Sequence, residues 1–146
     1  GMFMLVESLH LSRWIESLAS LLRDAIQKSD STLVAGLLMC VVTIVFSNLI
    51  NNQPATILLT RVVISDEFGT MSAPLRRISM FGVIAGSNLG ANFTLIGALA
   101  GIMFQHILEG KRLRLTYLAF AKVGMLCMPT VTLITMLVLW AEEELM

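Results

Sequence analysis

Charge is what this sequence has least of. Only 14% of its 146 residues are Asp, Glu, Lys or Arg, against about 25% in an average soluble domain, while 56% are hydrophobic. Water is not the main solvent of such a chain. The ten basic and ten acidic side chains cancel, so no surplus of positive charge points to a nucleic-acid partner. Cysteine is scarce as well. Cys40 and Cys127 both stand inside apolar runs, where a thiol behaves as a small hydrophobe, which argues against a disulfide framework and a cysteine metal site. There is no legible Ser-His-Asp set, no metal-ligand spacing and no glycine-rich phosphate loop after a strand. These absences speak against an enzyme and against a resident cofactor or metal.

What the chain has instead is long stretches without charge. Ser31 to Thr60, Ile78 to Leu108 and Val123 to Ala141 contain no Asp, Glu, Lys or Arg, and each suffices to cross the ~30 Å hydrocarbon layer, for which about 20 residues are enough. The expected class is an all-α, multi-pass integral membrane protein of a plasma or organellar membrane. Residues 1–30 read as the end of a membrane helix followed by an amphipathic helix. The opening Gly1-Met2-Phe3-Met4-Leu5-Val6 has no basic region of the secretory kind and reads either as the tail of a helix begun elsewhere or as a short hydrophobic start. From Trp14 to Ile26 the residues Trp14, Ile15, Leu18, Leu21, Leu22, Ala25 and Ile26 recur at helical spacing. That pattern suits a helix lying in the interface and equally one packed on other protein.

The first run turns polar at Ser47-Asn48-Leu49-Ile50-Asn51-Asn52-Gln53-Pro54 and then resumes. An unbroken helix of about 30 residues would overshoot the bilayer at roughly 45 Å. Residues 31–64 are therefore expected to form a re-entrant helical hairpin, with Pro54 in the first turn of its second arm and Asn51 or Asn52 capping it. Residues 65–77 form an aqueous or interfacial link. The second run, 78–108, becomes small and polar at Gly86-Ser87-Asn88-Leu89-Gly90-Ala91-Asn92, which predicts a transmembrane helix broken there. Gly97 and Gly101, four apart, are expected to let another helix approach. Residues 109–116 make a loop whose Lys111, Arg112 and Arg114 put it in the cytoplasm, 117–141 the last span, and 142–146 an acidic tail. Arg61, Arg76 and Arg77 then fall on the other side, against the positive-inside rule.

The two interruptions share Ser-Asn-Leu and a later Asn at the same spacing, forty residues apart. Carboxamides and hydroxyls at lipid depth are costly unless buried in protein or facing water, so two clusters at two helix breaks mark a binding site. A broken helix frees N–H groups that suit an oxyanion and carbonyls that suit Na⁺ or a proton-bearing group. The plainer reading is that Asn51 and Asn52 cap a helix and that Asn88 and Asn92 tie helices together. His10 and His106 read as packing or capping groups, Lys122 as a headgroup anchor, Met128-Pro129 as a kink, and Glu7 as a lone carboxylate of unknown depth.

On these two motifs, extended to Ala55-Thr56 and to Phe93-Thr94-Leu95-Ile96-Gly97-Ala98-Leu99-Ala100, the chain resembles the ion transporter superfamily. The arsenite/antimonite pump membrane proteins are its nearest group, with citrate-type and dicarboxylate transporters as wider relatives. The resemblance implies two inverted repeats, each with a re-entrant hairpin and a broken helix meeting at the bilayer centre. This chain holds one such repeat, so it is expected to be the C-terminal half of a transporter, completed by its other half or, less simply, by a homo-oligomer. The resemblance places Ser47, Asn48, Asn51, Asn52 and Thr56 at the hairpin tip and Ser87, Asn88, Asn92 and Thr94 at the break, as the residues that bind substrate or ion.

The expected function is secondary transport of arsenite, antimonite or a related small anion, coupled to a Na⁺ or H⁺ gradient. Neutral arsenous acid needs hydrogen-bond donors and acceptors and no fixed cation, which is what these breaks offer. The alternatives are a Na⁺/H⁺ antiporter, a citrate or dicarboxylate carrier, or a non-transporting assembly subunit. Expected partners are the lipid bilayer and a small anion, metalloid or cation, and no nucleic acid.

Overall fold

The computed structural model describes residues 13–29, 31–95, 97 and 99–145. Every regular element among them is a helix: α1 (Trp14–Ser29), α2 (Thr32–Ile50), α3 (Asn52–Val63), α4 (Asp66–Gly69), α5 (Ala73–Gly90), α6 (Leu99–Gly110) and α7 (Tyr117–Leu145). The expected membrane-helix end at the N-terminus, with Glu7 and His10, lies outside the described residues. Two helices, α2 and α7, are long and apolar enough to cross a membrane. The middle charge-free run is divided between α5 and α6.

The most extensive helix contact is between α2 and α5. Gly36 on α2 faces Gly82 on α5, and a Cβ added at Gly82 would lie 2.5 Å from the Gly36 carbonyl oxygen; one added at Gly86 would lie 2.6 Å from that of Cys40. Glycine at these positions brings the two backbones together without a hydrophobic driving force, the way helices associate in lipid. The expectation that Gly97 and Gly101 serve this role is corrected. Gly97 lies outside any helix, and a Cβ at Gly101 would strike the Leu95 carbonyl of its own preceding loop, not another helix.

Around this pair α3 packs on both helices, α7 runs along α5 and α2, and α1 lies across α3 and α4. The α1 helix buries Ile15, Ala19, Leu22 and Ile26, a stripe at i, i+4, i+7 and i+11 that sinks one face into the bundle. It is packed on protein, while Trp14 and Leu21, from the same apolar set, remain outside. By contrast α6 has no buried residue.

Three boundaries differ from expectation, each for a physical reason. The second helix does not break at Gly86: α5 continues to Gly90, and the described residues 91–95 and 97 that follow it are not helical. Ser87 Oγ and Asn88 Nδ2 both donate to the Ile84 carbonyl, at 3.0 and 2.8 Å, back-bonds that a continuing helix accommodates. The helix also starts before the expected end of the link at 77, because Pro74 sits in its first turn, where a missing N–H costs nothing. Lastly, the acidic 142–146 segment is no tail, since α7 runs through it to Leu145. Glu143 is 5% exposed and accepts two donors from Arg77, Nη2 at 2.7 Å and Nε at 3.0 Å. Beside it Trp140 Nε1 donates to Thr32 Oγ1 at 2.9 Å, and Thr32 Oγ1 donates to Glu144 Oε1 at 3.2 Å. This cluster pins the end of α7 to the starts of α2 and α5.

Candidate functional site

The expected wide polar tip of the first run contracts to one residue. Ser47 to Ile50 stay in α2, Asn52 already belongs to α3, and Asn51 alone makes the turn with φ 77° and ψ 154°, a conformation that side-chain-bearing residues avoid. It stands at the N-cap position of α3, yet its side chain makes no capping bond. Capping therefore does not account for Asn51.

The turn is joined to the break after α5. Asn52 N–H donates to the Gly97 carbonyl at 3.2 Å. Asn48, in the last turn of α2, donates through Nδ2 to Ile44 O at 2.8 Å and to Gly90 O at 3.0 Å. Its Oδ1 accepts from Thr94 Oγ1 at 2.6 Å. A second group of oxygens gathers at Asn52: Thr56 Oγ1 donates to Asn52 O at 2.8 Å and lies 3.2 Å from Asn52 Oδ1. Ser47 Oγ, fully buried, lies 3.4 Å from the same Oδ1. The C-terminal ends of α2 and α5 and the start of α3 thus meet in one uncharged polar knot.

Of the nine residues expected at the site, Ser47, Asn48, Asn52, Thr56 and Thr94 come together here, and Asn51 stands at its edge. Ser87, Asn88 and Asn92 do not join. Ser87 and Asn88 bond back to Ile84, and Asn92 Nδ2 donates to Asn88 O at 3.3 Å. Asn88 is exposed on α5, and Asn92 is exposed in the turn that follows it. The Ser-Asn-Leu repeat is therefore a likeness of sequence and not of placement. Each motif has the same helical spacing, but only the first is followed by a turn that folds back onto its neighbour.

Two positions at the knot escaped the sequence reading. Gly90 and Gly97 take part through their backbones, and at Gly97 a Cβ would lie 2.8 Å from Asn48 Oδ1. Beside the knot opens a mostly apolar cavity of about 710 Å³, lined among others by Trp14, Leu21, Phe46, Asn51, Gln53 and Leu99.

Chemically the knot offers partial charges of both signs and no formal charge. Its supply of free backbone donors is small: Asn52 N–H is held by Gly97 O, Ala55 N–H donates to Asn51 O, and Pro54 has none. The α3 terminus is therefore a poorer oxyanion site than its position suggests, and side-chain groups carry most of the capacity for hydrogen bonding. No cluster of three or more His, Cys, Asp or Glu that could hold a metal ion exists among the described residues.

The family model for the arsenical pump membrane protein matches residues 1–141. The chain is 25% identical over 138 residues to an arsenical pump membrane protein of Escherichia coli, covering 93% of this chain and 30% of that protein. It is 27% identical over 141 residues to a putative arsenical pump membrane protein of Bacillus subtilis, covering 95% of this chain and 30% of that one. It is 28% identical over 131 residues to the P protein of Homo sapiens, covering 85% of this chain and 15% of the human one. The chain thus spans about 30% of the length of the two bacterial relatives. No solved structure matches it.

Proposed function

The chain belongs to the arsenical pump membrane protein family, and on that premise we propose that it serves secondary transport of arsenite or antimonite, coupled to a Na⁺ or H⁺ gradient. The cargo site in this reading is the joint between the Asn51 turn and the break after Gly90. One observation carries it: an uncharged polar knot, held by Asn48, Asn52 and Thr94, sits at the end of α2, a helix of membrane-spanning length and hydropathy, where polar groups are retained only for a function or a partner. Neutral arsenous acid fits it better than a multivalent carboxylate. The knot has no Arg or Lys, and the α3 terminus has few donors left for an anion. The rest of the transporter supplies the remaining wall of the pathway.

Helix lengths support a re-entrant α2–α3 hairpin. Tyr117 and Trp140 stand 23 residues apart on α7, about 35 Å at 1.5 Å per residue, which spans the ~30 Å hydrocarbon core with each ring in the interfacial belt. Thr32 is bonded to Trp140, so α2 enters from the Trp140 side. The 12-residue α3 covers only about 18 Å, too short to cross, and carries Arg61 back toward that side. Gly124 packs against the Asn92 and Phe93 carbonyls and lies seven residues from Tyr117, about 10 Å along α7. The joint accordingly sits nearer the basic loop at Lys111, Arg112 and Arg114, which the positive-inside rule assigns to the cytoplasm.

The test is gradient-driven uptake of arsenite and antimonite into inverted vesicles from cells expressing the full gene product, with Asn51→Gly as the variant. Glycine removes the carboxamide while accepting the φ of 77°, so strongly reduced flux of both metalloids with normal membrane insertion is the expected result. Absence of arsenite and antimonite flux in the wild type under both Na⁺ and H⁺ gradients, or transport of citrate in their place, overturns the reading.

A further inference from the structure

Resting on that reading, we propose a division of labour among the asparagines: Asn48 and Thr94 form a positioning latch that does not touch cargo, and Asn51 is the carboxamide that does. A carboxamide can donate two hydrogen bonds through its nitrogen and accept through its oxygen. Asn48 has both donors engaged, one by Ile44 O and one by Gly90 O, and its oxygen takes the Thr94 hydroxyl at 2.6 Å. Gly97 closes the remaining approach to that oxygen, since a Cβ there would lie only 2.8 Å away. Nothing on Asn48 is left to offer a cargo as a donor.

The latch instead ties three elements together. Through Asn48 the last turn of α2 holds the end of α5 at Gly90 and the loop at Thr94, and the adjacent Asn52 N–H holds the same loop at Gly97. The loop therefore has one position relative to the hairpin turn while the latch is closed. Asn51 is the opposite case. Among the described residues its side chain has no hydrogen-bond partner, it lines the 710 Å³ cavity, and its backbone holds a conformation that is strained for a residue with a side chain. A strained turn that presents an unused carboxamide beside a latched loop describes a ligand-facing group with its support behind it.

The two roles predict different kinetics. Opening the latch lowers the fraction of molecules with the site assembled, and that raises the apparent dissociation constant of every cargo by the same factor. Loss of a cargo contact changes the preference between cargoes of different size. Thr94→Val keeps the shape and removes the donor. It should raise the half-saturation concentration about 3- to 10-fold, the span set by one neutral hydrogen bond, equally for arsenite and antimonite, with Thr94→Ser restoring it. Asn51→Gly should alter the ratio between the two.

The deciding experiment pairs those transport constants with amide hydrogen exchange of the same variants in nanodiscs, which needs no cargo. Thr94→Val should speed exchange in peptides spanning 50–56 and 90–97 while leaving α1 and α7 unaffected, and Thr94→Ser should match the wild type. Unchanged exchange in Thr94→Val, failure of Thr94→Ser to rescue, or a shifted arsenite-to-antimonite ratio in Thr94→Val each overturns the latch. If the wild type moves neither metalloid, the proposed function fails, and the exchange measurement still decides the latch by itself.

Discussion

Replacing Gly82 with Ala is the sharpest test of the α2–α5 seam. The new methyl carbon would sit 2.5 Å from the Gly36 carbonyl oxygen, 2.9 Å from Met39 Cβ and 3.1 Å from Cys40 N, the first about 1 Å inside the roughly 3.5 Å optimum for nonbonded atoms. Two of those atoms are backbone, so no side-chain rotation relieves the contact. The helices must separate, and a gap of 0.5–1 Å forfeits roughly a quarter to a half of the dispersion well along the seam. Overpacking of this kind costs about 2–3 kcal/mol, and alanine's higher helix propensity returns about 1 kcal/mol, leaving a net loss of about 1–2 kcal/mol. At roughly 2–4 °C per kcal/mol for a chain of this size, the apparent Tm falls by about 2–8 °C. Tryptophan fluorescence during heating in nanodiscs reads it, because Trp140 reports the end of α7 bonded to Thr32. Gly110→Ala is the control. Nothing lies within 4 Å of a Cβ there, so it brings the propensity gain without a clash. If Gly82→Ala raises Tm as much as Gly110→Ala does, the close approach of α2 and α5 is wrong.

Asn51→Gly relieves a backbone strain of order 1–3 kcal/mol at φ 77° and ψ 154°, so its Tm should rise by several degrees even as flux falls; a fall in Tm would show that the turn is not strained. Glu143→Gln removes the carboxylate from a pair in which Arg77 is half exposed, and Tm should drop by roughly 2–4 °C. Because the carboxylate is nearly inaccessible, 150 mM salt should change that drop little, whereas full screening would place the pair at the surface. Gly97→Ala should push the Asn48 oxygen away from Thr94 and reproduce the Thr94→Val exchange pattern; wild-type exchange in that variant would separate Gly97 from the latch.

Several features were readable before any coordinates. Runs without charge announce helices in lipid because an ionised side chain is costly there whatever the fold around it. Pro54 marks a first turn because proline lacks an N–H wherever it stands, and it falls there; Pro74, read as part of the link, does the same in α5. A turn near Asn51 was legible from the polar residues between two apolar stretches. The position of the second break was not. Gly86, Ser87, Asn88 and Gly90 carry the composition of a helix end, yet Gly86 and Gly90 pack their bare backbones against Cys40 and Ile44 on α2. Small residues look alike whether they end a helix or let another come close, and only the neighbour distinguishes them.

The same limit governs the site. By itself the sequence determined the solvent, the helices, the presence of two polar interruptions and the family to which they belong, because these follow from residue chemistry and local spacing. Tertiary structure alone decided that Asn48, Asn52 and Thr94 meet while Asn88 and Asn92 stay exposed, and that an apparent acidic tail holds a buried partner for Arg77. Both outcomes depend on contacts between residues 46 and 66 positions apart. A hydrogen bond of that range is set by how helices cross, and a crossing is fixed by the packing of α2, α5 and α7 together, which no single segment encodes.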